Sequence, residues 1–528
     1  MQQNKLSLGD IDSILSKRIE NNGGFLTLAN LPNPSTFSDM DIATNRISQA
    51  IHSGENILIV GDYDVDGVVS TTIMKEFFDE IGVSVGSFIP NRFAHGYGLS
   101  MNILFALQDA DLIITVDNGI NANEVATWCK ENGKTLIITD HHTVGLELPE
   151  AFAIINPKKS NCNFKYDDIC GAQVAWYLCA GIKKEMKLDI DLKPYLTLVS
   201  LAIIADVMPL THINRAMVIA GLKEIEKSQR ACFVALKSHF NKTTFSSQDI
   251  AFFIAPLLNS AGRMKDASLA FDFLRSSNQP QANIYLAKLI ETNNQRKITE
   301  EETSLQAINS IINPDDEILV AIGDDWHEGV VGIVASRIVR KHGKPAIILC
   351  RGENGLLKGS GRSVYNCDLY GSIMACSEYL EKFGGHKLAI GMAIKNENIN
   401  DFINNLRQNY KEITDSVRDD GVIGEITLCE ISNDLFRTLD KYEPYGEGNR
   451  VPQFKSSKLE IKSSKIMGSN SEHVKYELCQ DSTTIEAIEF KYSDTLMKDK
   501  MHTINYTVAK NSFRGTEKLQ LLIINISK

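Results

Sequence analysis

An apolar strand that stops on carboxylates is the feature that most constrains this chain. Ile57-Leu58-Ile59-Val60 runs directly into Gly61-Asp62-Tyr63-Asp64-Val65-Asp66-Gly67. A short, wholly apolar run reads as a strand buried on both faces, which belongs to a parallel sheet. The design recurs: Asp111–Val116 leads into Asp117-Asn118-Gly119, and Thr135–Thr139 into Asp140-His141-His142. Val83–Ile89 predicts one more strand, closed by Pro90, and helical spacing fills Val68–Glu80 and Asn123–Asn132. Strands alternating with helices at this spacing indicate βαβ units and a mostly parallel sheet. Such sheets bind ligands outside the carboxyl ends of their strands. Asp62–Asp66, Asp117 and Asp140–His142 all fall there.

At 528 residues the chain exceeds one ordinary core. Residues 1–50 read as helices and loop. Ile169 to about Leu305 reads mainly helical, and the charge-laced Gln281–Ser310 predicts a solvated helix connecting two lobes. A second α/β pattern follows, with strands at Ile318–Ile322 and Pro345–Leu349 around a helix at Val330–Lys341. Gly359-Ser360-Gly361-Arg362-Ser363 and Gly384-Gly385-His386 are expected as its loops. Beyond Gly424, short alternating stretches predict a small β-barrel or sandwich. The expected domains are therefore 1–210, 211–312, 313–423 and 424–528.

Composition removes several classes. No apolar run approaches the roughly 18 residues of a membrane helix. The polar Met1–Asp10 lacks the regions of a signal peptide, so a cytoplasmic protein is expected. The ten cysteines are scattered without a Cys-x-x-Cys pair, which argues against zinc ribbons, redox centres and disulfide frameworks. A net charge of −11 argues against a surface coated for DNA wrapping, though not against a local basic groove. From Lys455 onward the balance turns mildly basic.

Asp62, Asp64 and Asp66 stand at i, i+2 and i+4, which in an extended segment puts them on one face. Three such carboxylates repel strongly unless cations neutralise them. The bland alternative is a surface turn capping the next helix. Asp117 before Asn-Gly, taken alone, suits turn chemistry. Asp140-His141-His142 supplies oxygen and nitrogen ligands together, and Asp206 adds a carboxylate. Jointly these groups suit two Mn²⁺ ions, with Mg²⁺ as the alternative and Zn²⁺ disfavoured without cysteine. Two such ions activate water for attack on phosphorus. Asp117, on a central strand end, is the expected bridge between them.

Asp64-Val65-Asp66-Gly67, Val116-Asp117, Asp140-His141-His142 and Ala205-Asp206 resemble the four motifs of the DHH phosphoesterase superfamily. Gly384-Gly385-His386 is similar to the signature of its DHHA1 partner domain. Four further stretches narrow the resemblance. They are Pro90-Asn91-Arg92 with Gly96-Tyr97-Gly98, Leu258–Met264, His327–Ala335 and Glu443–Asn449. Together they resemble the RecJ family of bacterial single-strand-specific 5′→3′ DNA exonucleases, over about residues 40–528.

The resemblance implies an α/β DHH domain, a helical connector, an α/β DHHA1 domain and a C-terminal OB-fold. It implies Asp64, Asp66, Asp117, His141 and Asp206 as direct metal ligands. Asp62 and His142 would be catalytic neighbours or ligands, with His142 contacting the scissile phosphate or serving as general acid. Arg92, Arg263, Ser360 and Arg362 would hold the 5′-terminal phosphate, since the guanidinium fork pairs with phosphate bidentately. The Gly384-Gly385-His386 turn would present N–H groups to a neighbouring phosphate. The OB-fold would bind single-stranded DNA partly by stacking, with Phe454, Tyr476, Phe490, Tyr492, Tyr506 and Phe513 as candidates and at most a third of them used. The family context is DNA repair and recombination by a monomer, with single-strand-binding protein and a RecQ-like helicase as partners. Two positions depart from the family pattern: Leu257 replaces a frequent arginine, and Ala94-His95 a common acidic residue. A phosphodiesterase for short oligonucleotides or cyclic dinucleotides, and a non-catalytic single-strand-binding scaffold, are the competing readings.

Overall fold

The computed structural model describes residues 5–352, 355–410, 412, 421–468, 471–490, 492, 500–513 and 516–527. Its first sheet holds β1 (Ile57–Val60), β2 (Gly86–Phe88), β3 (Leu112–Val116), β4 (Thr135–Thr139) and β5 (Ala153–Ile155) in the order β2-β1-β3-β4-β5. All four pairings are parallel. The central strand β3 is buried throughout, as its unbroken Leu-Ile-Ile-Thr-Val run demands. One face of this sheet packs on the helices Val65–Glu80 and Gly171–Glu185, in a core that extends into the helical region as far as Leu289. The other face packs under the helix Asn123–Glu131.

The second sheet is mixed. It contains β6 (Leu319–Gly323), β7 (Ala346–Arg351), β8 (Leu356–Arg362), β9 (Leu380–His386) and β10 (Ala389–Lys395), in the order β6-β7-β8-β10-β9. Only β6 and β7 run parallel. The third sheet is built from β11 (Val422–Glu425), β12 (Gln453–Met467), β13 (His473–Gln480), β14 (Thr483–Phe490), β15 (His502–Phe513) and β16 (Thr516–Ser527). Pairing of β12 with β15 closes its last five strands into a barrel, the OB architecture. The N-terminal helix Leu8–Asn21 buries Ile11, Leu15 and Ile19 in the core of this barrel unit.

The structure corrects four local expectations. The helix after β1 begins at Val65, with Asp64 as its N-cap, so the three aspartates do not lie along one extended face. Gly359–Arg362 and Gly384–His386 belong to strands β8 and β9 rather than to loops. The connecting helix Gln279–Asn309 is not solvated all round. It buries Arg296 and Glu300, and Glu300 takes ion pairs from Arg296 and from Arg337 of the helix Val331–His342. Phe454, Tyr476 and Tyr506 fill the barrel core and cannot stack on bases, whereas Phe490 is 56% exposed. Tyr492 packs against that core, and the Phe513 side chain lies outside the described residues.

Candidate metal centre and anion cleft

Tight local packing places each carboxylate. Asp64 accepts the Gly67 N–H at 3.0 Å, capping the helix Val65–Glu80. The turn folds back so closely that a Cβ on Gly67 would lie 2.6 Å from the Asp62 backbone. Asp66, in the first turn of that helix, accepts N–H groups from Gly171 (2.6 Å) and Ala172 (2.8 Å) at the start of the helix Gly171–Glu185. That helix start favours negative charge. Asp117 leaves β3 in a left-handed conformation (φ 63°), and a Cβ on Gly171 would sit 2.5 Å from its carboxylate.

His141 Nε2 lies 3.1 Å from Asp117 Oδ1, 3.6 Å from Asp66 Oδ2 and 3.7 Å from Asp206 Oδ2. The shortest of these lacks hydrogen-bond geometry, since Asp117 Oδ1 has no hydrogen-bond partner. Asp62 Oδ1 and His141 Nδ1 are equally buried and equally unpartnered. Three overlapping triads form: Asp66–His141–Asp206, Asp117–His141–His142 and Asp62–Asp64–Asp117. Within each, the ligand atoms lie within 4.8 Å of one another. Asp117 and His141 each belong to two triads, so the seven groups make one centre. Asp140, by contrast, turns inward. It accepts the N–H groups of Ile120, His141 and His142, and His142 Nδ1 at 2.7 Å.

The electrostatics follow from this crowding of buried carboxylates. Burial, then the charge of neighbouring aspartates, pushes Asp62, Asp117 and Asp206 well above the usual carboxylate range; burial also raises Asp66. Burial holds His141 down at about 4, neutral and able to ligate. Burial also pulls on His142, but its hydrogen bond to Asp140 and the charges of Asp140, Asp64 and Asp206 outweigh that and hold it up at about 9. Clustered carboxylates, a neutral imidazole and orphaned buried oxygens are the donor set of hard divalent cations.

A cationic trio stands beside the acids. The helix Ala255–Met264 packs onto the aspartate loop, where a Cβ on Gly262 would lie 2.2 Å from Tyr63 O and Asn259 accepts the Val65 N–H. This brings Arg263 near Asp64. Burial, and then Arg92, Arg362 and Arg296, depress Arg263 to about 10, while Asp64 opposes them. Burial and Arg92 lower Arg362. Arg92 lies 5.3 Å over the Tyr63 ring. None of Arg92, Arg263 and Arg362 makes an ion pair with a described residue, so they are not the surface salt bridges that a bland reading expects. Arg362 donates to Ser360 Oγ at 2.7 Å.

The two α/β lobes face each other across a cleft of about 980 Å³. Arg92, Asp140 and His142 line one wall; Ser360, Gly384 and Gly385 line the other. His386 pairs with Ala389 in the backbone, and its side chain lies outside the described residues. Sequence reasoning assigned no role to Tyr63 or Tyr97, although both sit inside motifs it singled out. Tyr97 Oη lies 3.3 Å from His142 Nε2. It also missed Gly329, whose Cβ would meet Arg263 O at 1.8 Å, so this position lets the lobes touch. Asp206 caps the helix Leu196–Ala205. Among the described residues no helix is long and apolar enough to cross a membrane.

Comparison with known proteins agrees with this layout. Residues 56–203 match the DHH family N-terminal domain, 315–412 the DHHA1 domain and 424–525 the RecJ OB domain. The chain is 32% identical to the single-stranded-DNA-specific exonuclease RecJ of Haemophilus influenzae, covering 94% of this chain and 92% of that one. It is 31% identical to the Bacillus subtilis RecJ, covering 94% of this chain and 64% of that longer protein. The crystal structure of Thermus thermophilus RecJ in complex with Mn²⁺ superposes with a TM-score of 0.81 at 26% identity, over 93% of this chain and 72% of that one.

Proposed function

The chain belongs to the RecJ family, and from that premise we propose that it is a metal-dependent exonuclease degrading single-stranded DNA from the 5′ end to 5′-mononucleotides. The observation that carries the reading is the juxtaposition of a buried acid–imidazole centre with three arginines that make no ion pair with a described residue. Asp64, Asp66, Asp117, His141 and Asp206 would hold two divalent cations, Mn²⁺ or Mg²⁺. When bound, such ions supply Lewis acidity to a water and to the attacked phosphate. Asp66 is held in place by the Gly171 and Ala172 N–H groups, and Asp62 adds negative charge beside the pair. His142, kept charged by Asp140 and lining the cleft, can donate to a phosphate oxygen or to the leaving oxygen.

Arg92, Arg263 and Arg362 with Ser360 would grip the terminal phosphate, and Gly384 and Gly385 allow close approach of the neighbouring one. A phosphate grip set apart from the hydrolytic centre measures the cut from the end, which makes the enzyme an exonuclease. Family membership also supports a cytoplasmic monomer in DNA repair and recombination, with single-strand-binding protein and a RecQ-like helicase as partners.

The test is a digest of 5′-phosphorylated single-stranded DNA, duplex DNA and RNA with Mn²⁺, Mg²⁺ or chelator. Mononucleotide release from single-stranded DNA, dependent on the cation, is expected. Attack on the duplex, release in chelator or preference for a dinucleotide would refute the reading.

A further inference from the structure

The cleft wall facing the acidic centre carries charge that the mechanism leaves unused. Residues directly paired across neighbouring strands project to the same face. The register aligns Ser360, Gly391 and Gly384 across β8, β10 and β9. Two residues along, it aligns Lys358, Ala393 and Lys382. All six line the cleft, while Ile390 and Ile394 on the alternate face are buried in the core.

Lys358 and Lys382 therefore flank Ala393 one strand to each side, with Cα atoms about 10 Å apart, twice the inter-strand spacing. Lys382 makes no ion pair with a described residue. Lys358 lies 3.1 Å from the Glu328 carboxylate, which fixes its position and offsets part of its charge. The surface beside them is open, since a Cβ placed on Gly384 or Gly391 would find no atom within 4 Å.

We propose that Lys382 and Lys358 form a second anion subsite, which takes an internal backbone phosphate of the single strand whose terminal phosphate the arginines hold. The proposal rests on the exonuclease reading. Ammonium groups on both sides of Ala393, on one wall of the cleft, attract a polyanion without reading its bases. Lys382 carries the larger share, because Glu328 draws on Lys358.

The full chain is tested in chelator, by titrating 5′-phosphorylated single-stranded DNA from low to high salt. Lys382→Ala is expected to lower the slope of log affinity against log salt by about 0.7, one lost phosphate contact. Lys382→Arg should restore it. Gly391→Val, whose new Cβ meets no protein atom, should keep the native melting temperature yet bind several-fold more weakly. In turnover both losses should fall on KM more than on kcat. Native slope and affinity in Lys382→Ala, or native affinity in Gly391→Val, overturn the subsite alone. A native chain that neither binds nor degrades single strands overturns the exonuclease reading and the subsite with it.

Discussion

The carboxylate of Asp66 is aimed by two backbone N–H groups, and that of Asp117 by a left-handed turn and a glycine beneath it. Each carboxylate is thus oriented by its backbone neighbours, the kind of support that tunes a metal site. Asp64→Ala removes a ligand of the Asp62–Asp64–Asp117 triad and the cap of the following helix. It should abolish hydrolysis while binding of single-stranded DNA in chelator stays near native; normal turnover would refute the centre. The cap itself is worth about 1 kcal/mol.

His142 offers a test by pH. Its value is raised from 6.5 to about 9, so the stability it contributes is complete below about pH 6.5 and lost as pH rises through about 9. In chelator, the melting-temperature gap between native protein and His142→Ala should shrink across that window; a constant gap would contradict it. The ligand types were legible in sequence because carboxylates and imidazoles after apolar strands are conspicuous. The inward turn of Asp140 was not, because only the fold brings the Ile120 N–H to it.

Elements meet here through glycines. Gly262 lets the helix Ala255–Met264 lie against Tyr63 O, and Gly329 lets the second lobe lie against Arg263 O. Both contacts are with backbone, which cannot swing aside. Gly262→Ala should cost about 1–3 kcal/mol by overpacking and should displace Arg263. Denaturant unfolding would show the first and a raised KM for 5′-phosphorylated strands the second; a native-like variant in both would mean the helix tolerates the shift.

Most strand positions were legible from apolar runs, to within a few residues. Gly359-Ser360-Gly361-Arg362 was misread as a loop because glycine usually breaks strands. Here β7 and β10 flank it on both sides, and a Cβ on Gly359 would meet Ile348 O at 2.3 Å. Close packing, not a turn, explains that glycine. The helix start at Val65 was misplaced for a related reason, since Asp64 closes the first turn by a side-chain bond that spacing does not reveal.

Across the whole molecule, a chain of net charge −11 lines one cleft with Arg92, Lys358 and Lys382, and its balance is mildly basic from Lys455 onward. Arg92, Arg263 and Arg362 come from segments far apart in sequence, yet the fold brings them close enough that Arg92 depresses both of the others. In the barrel, core burial removes three of the six aromatic candidates, and among the described side chains Phe490 is the exposed one. Phe490→Ala should weaken single-strand binding by up to about 1–3 kcal/mol without lowering the melting temperature, measured by fluorescence anisotropy and thermal unfolding. Unchanged affinity would remove Phe490 from the strand's path.

The sequence by itself determined the order of domains, the parallel sheet and the chemical identity of the centre, because periodicity and residue type are local properties. Only the tertiary structure decided which carboxylates and imidazoles converge, which arginines make no ion pair with a described residue and which of the described aromatics face solvent. Those outcomes depend on distances between segments tens to hundreds of residues apart, which packing sets and local pattern cannot carry.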